Sequence, residues 1–153
     1  MAKLGKMKVT DLKSFQKKLN KIQADSVNAF VESCIKELAA RLLRKVIQRT
    51  PVGQYPKETG KRGGTLRRGW TAGKQGATAY ANAIPITKNG NMLTVEIINP
   101  VDYAAYVEYG HRTANHAGWV SGRFMLTISE EEIEQSTPAI LEKKIKKFLD
   151  GLK

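Results

Sequence analysis

Histidine and glutamate are the side chains of this sequence best suited to acid–base or metal chemistry, and their spacing disfavours both uses. His111 and His116 lie five residues apart in a glycine-bearing segment, with no third ligand at a suitable spacing nearby. A zinc site needs three or four protein ligands. The glutamates of residues 130–134 are interpreted as the acidic first turns of a helix, where they suit its dipole. We therefore expect no catalytic residues, no metal and no cofactor.

Motifs for phosphate binding or covalent catalysis are also missing from the sequence. The glycines of residues 59–65 precede a predicted strand, whereas a phosphate-binding loop precedes a helix. No serine lies in a nucleophile elbow. Cys34 is the only cysteine, which excludes an internal disulfide and is typical of a small apolar residue on a helix face. An enzyme such as a nuclease would require an acid–base or metal constellation that the sequence does not offer.

Positive charge is the strongest compositional signal. The sequence has 26 lysines and arginines against 14 acids, a net charge of +12, which favours anionic partners. Ten of the cations lie between Arg41 and Lys74, where Glu58 is the only acid. This cluster predicts contact with phosphates or with an acidic protein, without base specificity. A simply solvated surface is the alternative.

The length and hydropathy of the chain indicate one cytoplasmic domain. With 153 residues, 41% of them hydrophobic, the chain can bury one core, so we treat residues 1–153 as a single domain. Its basic N-terminal residues are not followed by the apolar run of a secretory signal, and no stretch approaches membrane-spanning length. We expect no membrane partner.

Helical periodicity is clearest before Pro51. Apolar residues recur at three-and-four spacing from Val27 to Ile47, which predicts a long amphipathic helix over Asp25–Arg49. Thr50-Pro51 ends it, because proline disfavours helical geometry in the preceding residue. A weaker stripe within residues 1–23 predicts a short N-terminal helix or arm.

The C-terminal part of the sequence also predicts helix. Its apolar stripe leads through residues 141–152, and Pro138 predicts a kink or break in the helical region. Ser136 or Thr137 is the expected cap of a second helical segment.

The middle of the sequence predicts a small antiparallel sheet. Residues 66–71, 83–87 and 92–98 have strand character, and Asn89-Gly90 predicts a hairpin turn. Pro85 places its strand at an edge or an interruption of the sheet. The predicted class is α+β, with a sheet of three to four strands packed against a long N-terminal helix and a C-terminal helix.

Two further segments precede and follow these predicted strands in the sequence. Residues 51–65 are rich in glycine, proline and charge, which predicts a long mobile loop. Residues 103–110 predict a short helix stopped by Gly110, with a strand as the alternative.

Three motifs occur in an order that is similar to a known family. They are Thr50-Pro51-Val52 with Thr59-Gly60 and Leu66-Arg67-Arg68-Gly69-Trp70, then Asn99 to Gly110, then Gly122-Arg123-Phe124-Met125-Leu126. On these motifs the sequence resembles the neck and tail-completion (head–tail joining) family of long-tailed phages and prophages, over roughly Leu38 to Leu149.

The resemblance implies a non-enzymatic virion protein that assembles as a ring between the head connector and the tail. The implied partners are further copies of the chain, the head connector and tail proteins, with non-specific contact to DNA in the channel as an option. The implied location is the host cytoplasm during assembly and then the head–tail junction of the virion. The alternative function is a basic nucleic-acid-binding module without base specificity.

Two sets of candidate site residues follow. The candidate contacts with a partner or DNA are Lys57, Lys61, Arg62, Arg67 and Arg68. The residues of the family motifs, expected mainly to pack, are Thr50, Pro51, Gly60, Leu66, Trp70, Tyr103, Tyr106, Glu108, Gly110 and Phe124.

Overall fold

Two long helices pack against each other in this protein, and a series of short helices and hairpins lies between them in chain order. The structure, a computed structural model, describes residues 24–74 and 76–152. Its elements are α1 (Ala24–Arg49), α2 (Thr65–Gly69), α3 (Ala77–Ala83), β1 (Ile86–Asn89), β2 (Met92–Val95), α4 (Ala104–Tyr109), β3 (Gly110–Arg112), β4 (Trp119–Ser121) and α5 (Met125–Asp150). The α+β class is confirmed, whereas the N-terminal helix or arm predicted for residues 1–23 lies outside the described residues.

The long helix α1 confirms the prediction from periodicity and begins one residue earlier. It packs against α3 and α5. Its last turn ends at Thr50, which is fully buried and whose hydroxyl donates a 2.6 Å hydrogen bond to the carbonyl of Val46. Pro51 follows and has no N–H with which to continue the ladder.

A single apolar cluster holds α1 to the short helices and to the start of α5. Leu43, Val46 and Met125 are fully buried at its centre. The other buried members are Ala39, Ala40, Leu66, Trp70, Ala77, Ala81 and Ile84. The core therefore lies around the C-terminal half of α1 and the N-terminal half of α5.

The β-structure consists of two separate antiparallel hairpins, β1–β2 and β3–β4, so the three- to four-stranded sheet is not formed in the described residues. The predicted first hairpin is present, with Asn89 opposite Met92. Its two-residue turn is Gly90-Asn91, one residue later than predicted, and Gly90 supplies the positive φ, +59°. Pro85 immediately precedes β1.

The prediction of a strand over residues 66–71 was wrong, because this segment forms α2. It has no alternation and no β-branched residue between Leu66 and Trp70. The four-residue spacing of Leu66 and Trp70 suits one face of a helix, and both are 4% exposed. Helix α3 was not predicted at all, although its sequence is rich in alanine, the strongest helix former.

The C-terminal helix α5 runs without a break through Pro138, so the predicted break and recapping were wrong. The hydroxyls of Ser136 and Thr137 donate to the carbonyls of Glu132 and Ile133; they do not accept from a new first turn. Pro138 is exposed, so water can satisfy the carbonyl that loses its usual partner.

The segment between α1 and α2 is irregular apart from one 3-10 turn, Lys57–Thr59. Every side chain of residues 51–62 is exposed. The mobility of this loop stays a prediction. None of the helices within residues 24–74 and 76–152 has the length and apolarity needed to cross a bilayer.

Candidate functional site

The end of α1 is joined to α2 by buried and half-buried hydrogen bonds that involve Thr50, Arg67 and Trp70. The hydroxyl of Thr50 accepts a 2.7 Å bond from the indole Nε1 of Trp70 while it donates to the carbonyl of Val46. Arg67 donates twice to the carbonyl of Thr50, at 3.2 and 2.7 Å. Because the buried groups of Thr50 and Trp70 satisfy each other and the half-buried Arg67 adds two bonds, these contacts fix α2 against the last turn of α1.

Glu108 provides the N-terminal cap of α5 from outside that helix. Its carboxylate, in a residue 6% exposed, accepts bonds from the N–H groups of Leu126 at 3.0 Å and Thr127 at 2.9 Å. The hydroxyl of Thr127 adds a third bond of 2.8 Å. The first N–H groups of a helix have no partner within the helix. Phe124 at the cap position has φ +47° and makes no side-chain cap bond of its own.

The second and third motifs are tied into one unit by backbone bonds. The N–H groups of Arg123 and Phe124 donate to the carbonyls of Val107 and Glu108, at 2.8 and 3.0 Å. Gly110 ends α4 with φ +87°, and a Cβ there would collide with backbone of the facing strand. The predicted short helix stopped by glycine is confirmed. We call residues 104–127 the cap module.

Four large side chains of the cap module are exposed. Their exposed fractions are 60% for Tyr106, 63% for Tyr109, 62% for Trp119 and 41% for Phe124. The rings of Tyr106 and His111 form a T-shaped contact with centroids 5.9 Å apart. We call these four side chains the aromatic face, a name that refers to their common exposure on the cap module. Exposed aromatic groups on a firmly bonded unit are typical of protein contact surfaces.

The remaining motif residues divide between core and surface. Thr50, Leu66, Trp70 and Glu108 are buried, and Gly110 is half-buried. Pro51 and Gly60 are exposed in the loop, and Tyr103 is 45% exposed. Among the family-motif residues, the expected packing role therefore fits the buried Thr50, Leu66, Trp70 and Glu108 better than it fits the exposed tyrosines.

A family model identifies the protein class. The model described as "Bacteriophage HK97-gp10, putative tail-component" matches residues 13–110, well over half of the chain. The chain belongs to this HK97 gp10-like family. The match confirms the resemblance to phage tail-completion proteins and includes the first two motifs, from α1 to α4. No match was found among curated proteins or among solved structures.

The five candidate contact residues of this HK97 gp10-like chain are not equivalent. Lys57, Lys61 and Arg62 are exposed in the loop, and the Lys61 ammonium lies 6.0 Å from the centroid of the Tyr55 ring. Arg67, by contrast, is bound to the carbonyl of Thr50. The structure thus leaves the three loop residues available to a partner.

Arg68 is intermediate between these cases. Its side chain is exposed and makes weak bonds of 3.2 Å to the carbonyl of Gly63 and 3.3 Å to the hydroxyl of Thr65. It therefore helps to close the loop onto α2 and remains reachable from solvent.

Glu132 forms a link between the two long helices that sequence reasoning missed. Its carboxylate oxygens pair with Lys45 and Arg49 of α1, both at 2.6 Å. Hydrogen bonds from Lys45 and then from Arg49 lower the pKa of Glu132. Because α5 begins at Met125, the acidic residues of this helix lie past its first turn, and the predicted dipole role was wrong.

The two histidines lie on the β3–β4 hairpin of the family member. His111 is half-buried on β3, and its Nδ1 is 3.5 Å from the carbonyl of Tyr106. His116 is exposed at the tip, with φ +55°. Within the part of the chain that the structure describes, no three or more His, Cys, Asp or Glu side chains form a group able to hold a metal ion.

Proposed function

We propose that this HK97 gp10-like chain is a non-catalytic structural protein of the head–tail junction, where copies of it form a ring between the head connector and the tail. The aromatic face carries the proposal. Its four side chains, 41–63% exposed, are of the types most enriched in protein–protein interfaces. Its partners are neighbouring copies, the connector and tail proteins, which it meets after synthesis in the host cytoplasm.

The hydrogen bonds that hold the cap module together support this role of the aromatic face. The carboxylate of Glu108 and the backbone bonds of Arg123 and Phe124 hold the cap module together before any partner arrives. A surface that is ordered in advance loses little conformational entropy on docking. The aromatic face is therefore suited to a permanent contact of defined geometry.

The exposed loop offers a second contact of different character. Lys57, Lys61 and Arg62 extend from residues 51–62, where all side chains are exposed. Such charges steer encounter with an acidic surface more than they add to final affinity. We assign the aromatic face to holding the neighbour and the loop to guiding it.

The aromatic face is tested by the double variant Tyr109→Asp/Trp119→Asp. Both side chains are exposed, so the subunit should fold, with an unchanged circular dichroism spectrum. We expect filled heads and separate tails, counted by electron microscopy, instead of joined particles. The matched control is Met92→Asp/Ile98→Asp, which changes two side chains that are 65% and 57% exposed outside the cap module. Normal joining by the first variant, or equal failure of both, contradicts the proposal.

The three exposed loop cations also favour the second candidate function, binding of nucleic acid without base specificity. The variant Lys57→Glu/Lys61→Glu/Arg62→Glu separates the two. If the loop guides an acidic protein, joining slows while the isolated subunit has no salt-sensitive affinity for duplex DNA. Tight binding of the unaltered subunit to duplex DNA, steeply weakened by salt and abolished in the variant, would support the alternative.

A further inference from the structure

A groove runs between residues 30–41 of α1 and residues 139–148 of α5. Its volume is about 720 Å³. Its apolar lining, called its floor below, consists of Phe30, Phe148 and Ile140, which are half-buried, and of Ala139, which is exposed. The rings of Phe30 and Phe148 stack with centroids 4.4 Å apart. The groove therefore combines an apolar part with polar and charged residues between two packed helices.

The rim of the groove is cationic. Arg41, Lys143, Lys144 and Lys147 line it, with Glu37 as the only acid among the lining residues. Glu37 pairs with both Arg41 and Lys144, each at 2.8 Å. These partners neutralise Glu37, whereas Lys143 and Lys147 are exposed and make no ion pair in the described residues. The unpaired charge of the rim is therefore positive.

We propose that this groove binds an acidic amphipathic segment of a partner protein. The apolar side chains of such a segment would cover the phenylalanine floor, and its carboxylates would meet the two free lysines of the rim. Amphipathic helices commonly bind in apolar grooves of this kind. The proposal concerns a surface separate from the aromatic face and does not depend on it.

Charge argues against the two occupants that the chain itself could supply. Residues 1–23 contain seven lysines and one aspartate, so this segment would bring further positive charge to a positive rim. A symmetric contact with a second copy at this groove would place two cationic rims against each other. Like charges placed together across an interface lower affinity. An acidic partner is the occupant that the groove fits.

The test uses the full chain and a fluorescent synthetic peptide of about fifteen residues, with leucines at helical spacing and glutamates between them. We expect binding that weakens with salt. The variant Lys143→Glu/Lys147→Glu should bind the peptide about tenfold more weakly, since two charge contacts become repulsive. The variant Ala139→Trp, which fills the groove without a change of charge, should also weaken binding.

Controls separate seating in the groove from general attraction to a basic protein. Lys36→Glu/Lys146→Glu makes the same change in net charge at lysines that do not line the groove, and it should bind within about twofold of the unaltered chain. A peptide with lysine in place of glutamate should not bind. Equal loss in both lysine variants, full affinity in Ala139→Trp, or no binding of the acidic peptide would overturn the proposal.

Two further outcomes identify a different occupant and also overturn the proposal. Duplex DNA that displaces the peptide, and loses affinity only in Lys143→Glu/Lys147→Glu, would make the groove a phosphate-binding surface. A dimer in sedimentation equilibrium that Ala139→Trp disrupts would assign the groove to a second copy.

Discussion

The two ends of the α1–α5 helix pair contrast sharply, although both helices carry apolar stripes along their length. Where residues 39–49 of α1 approach residues 125–133 of α5, residues of the short helices complete the buried core. Where residues 25–33 approach residues 140–152, no side chain is buried. We call these the core end and the free end. An amphipathic stripe thus predicts a helix but does not decide whether its face becomes buried.

Polar groups follow the same division. At the core end, buried hydroxyl, indole and carboxylate groups bond to one another or to helix ends, as at Thr50, Trp70 and Glu108. At the free end, the polar contacts are exposed ion pairs such as Glu142 with Lys146, which contribute little to stability. Stability should therefore be concentrated at the core end.

The largest expected difference comes from the same truncation at each end. Leu43→Ala removes a side chain that is fully buried, and we expect it to lower the free energy of unfolding by about 3–4 kcal/mol. Leu149→Ala removes one that is 45% exposed and should cost less than about 1 kcal/mol. Urea unfolding measures both. Equal losses would show that the free end is covered as completely as the core end.

Removal of the external helix cap should have the next largest effect. Glu108→Ala leaves two N–H groups and one hydroxyl at the start of α5 without their carboxylate, which should cost about 2–3 kcal/mol in unfolding free energy. Glu108→Gln keeps one acceptor oxygen and should fall between the alanine variant and the unaltered chain. A loss below about 0.5 kcal/mol for the alanine variant would show that water replaces this cap.

A smaller effect is expected for the hydrogen bond between the indole of Trp70 and the hydroxyl of Thr50. We expect a double-mutant cycle with Thr50→Val and Trp70→Phe to give a coupling energy of about 1 kcal/mol. Each single variant leaves the remaining buried group, the indole N–H or the hydroxyl, without this hydrogen-bond partner. Strictly additive losses would mean that packing alone holds α2 against α1.

The smallest effect concerns pH and the ion pairs of Glu132. Its pKa is lowered from the model-peptide value of 4.5 by Lys45 and Arg49. A lowered pKa stabilises the fold above the unfolded-state value, and this contribution is lost as the pH falls through the folded-state value. Between about pH 5 and pH 3, the melting temperature should therefore fall less steeply in Glu132→Gln than in the unaltered chain.

The matched control for this pH test is Glu131→Gln. Glu131 is exposed and forms no ion pair in the residues that the structure describes. We expect its melting curve to follow that of the unaltered chain at each pH. If the melting temperature fell equally less steeply with pH in both variants, the special role of the Glu132 ion pairs would be contradicted.

Periodic sequence signals predicted the fold where one face of an element meets the core. The spacing from Val27 to Ile47 predicted α1 within one residue, and Gly110 predicted the end of α4. Such signals are local, since they depend on neighbours within one or two helical turns. The strand predicted for residues 66–71 was wrong, although the four-residue spacing of Leu66 and Trp70 matches one face of the helix that forms there.

The polar contacts of the candidate site were less accessible to sequence reasoning. The cap of α5 joins Glu108 to residues 18 and 19 positions later, and Glu132 meets cations more than 80 positions earlier. No spacing rule connects such distant residues. The exposure of Tyr106 and Tyr109 could not be read from their type either, because tyrosine is equally suited to a core edge and to an interface.

The backbone bonds from Arg123 and Phe124 to Val107 and Glu108 close the base of the β3–β4 hairpin. These bonds fix the position at which α5 starts. That position therefore does not depend on the residues of the hairpin tip, residues 113–118. Changes in the length or sequence of this tip should therefore leave the start of α5 in place. The same property makes the tip a natural place to graft a tag or a foreign epitope onto the assembled particle.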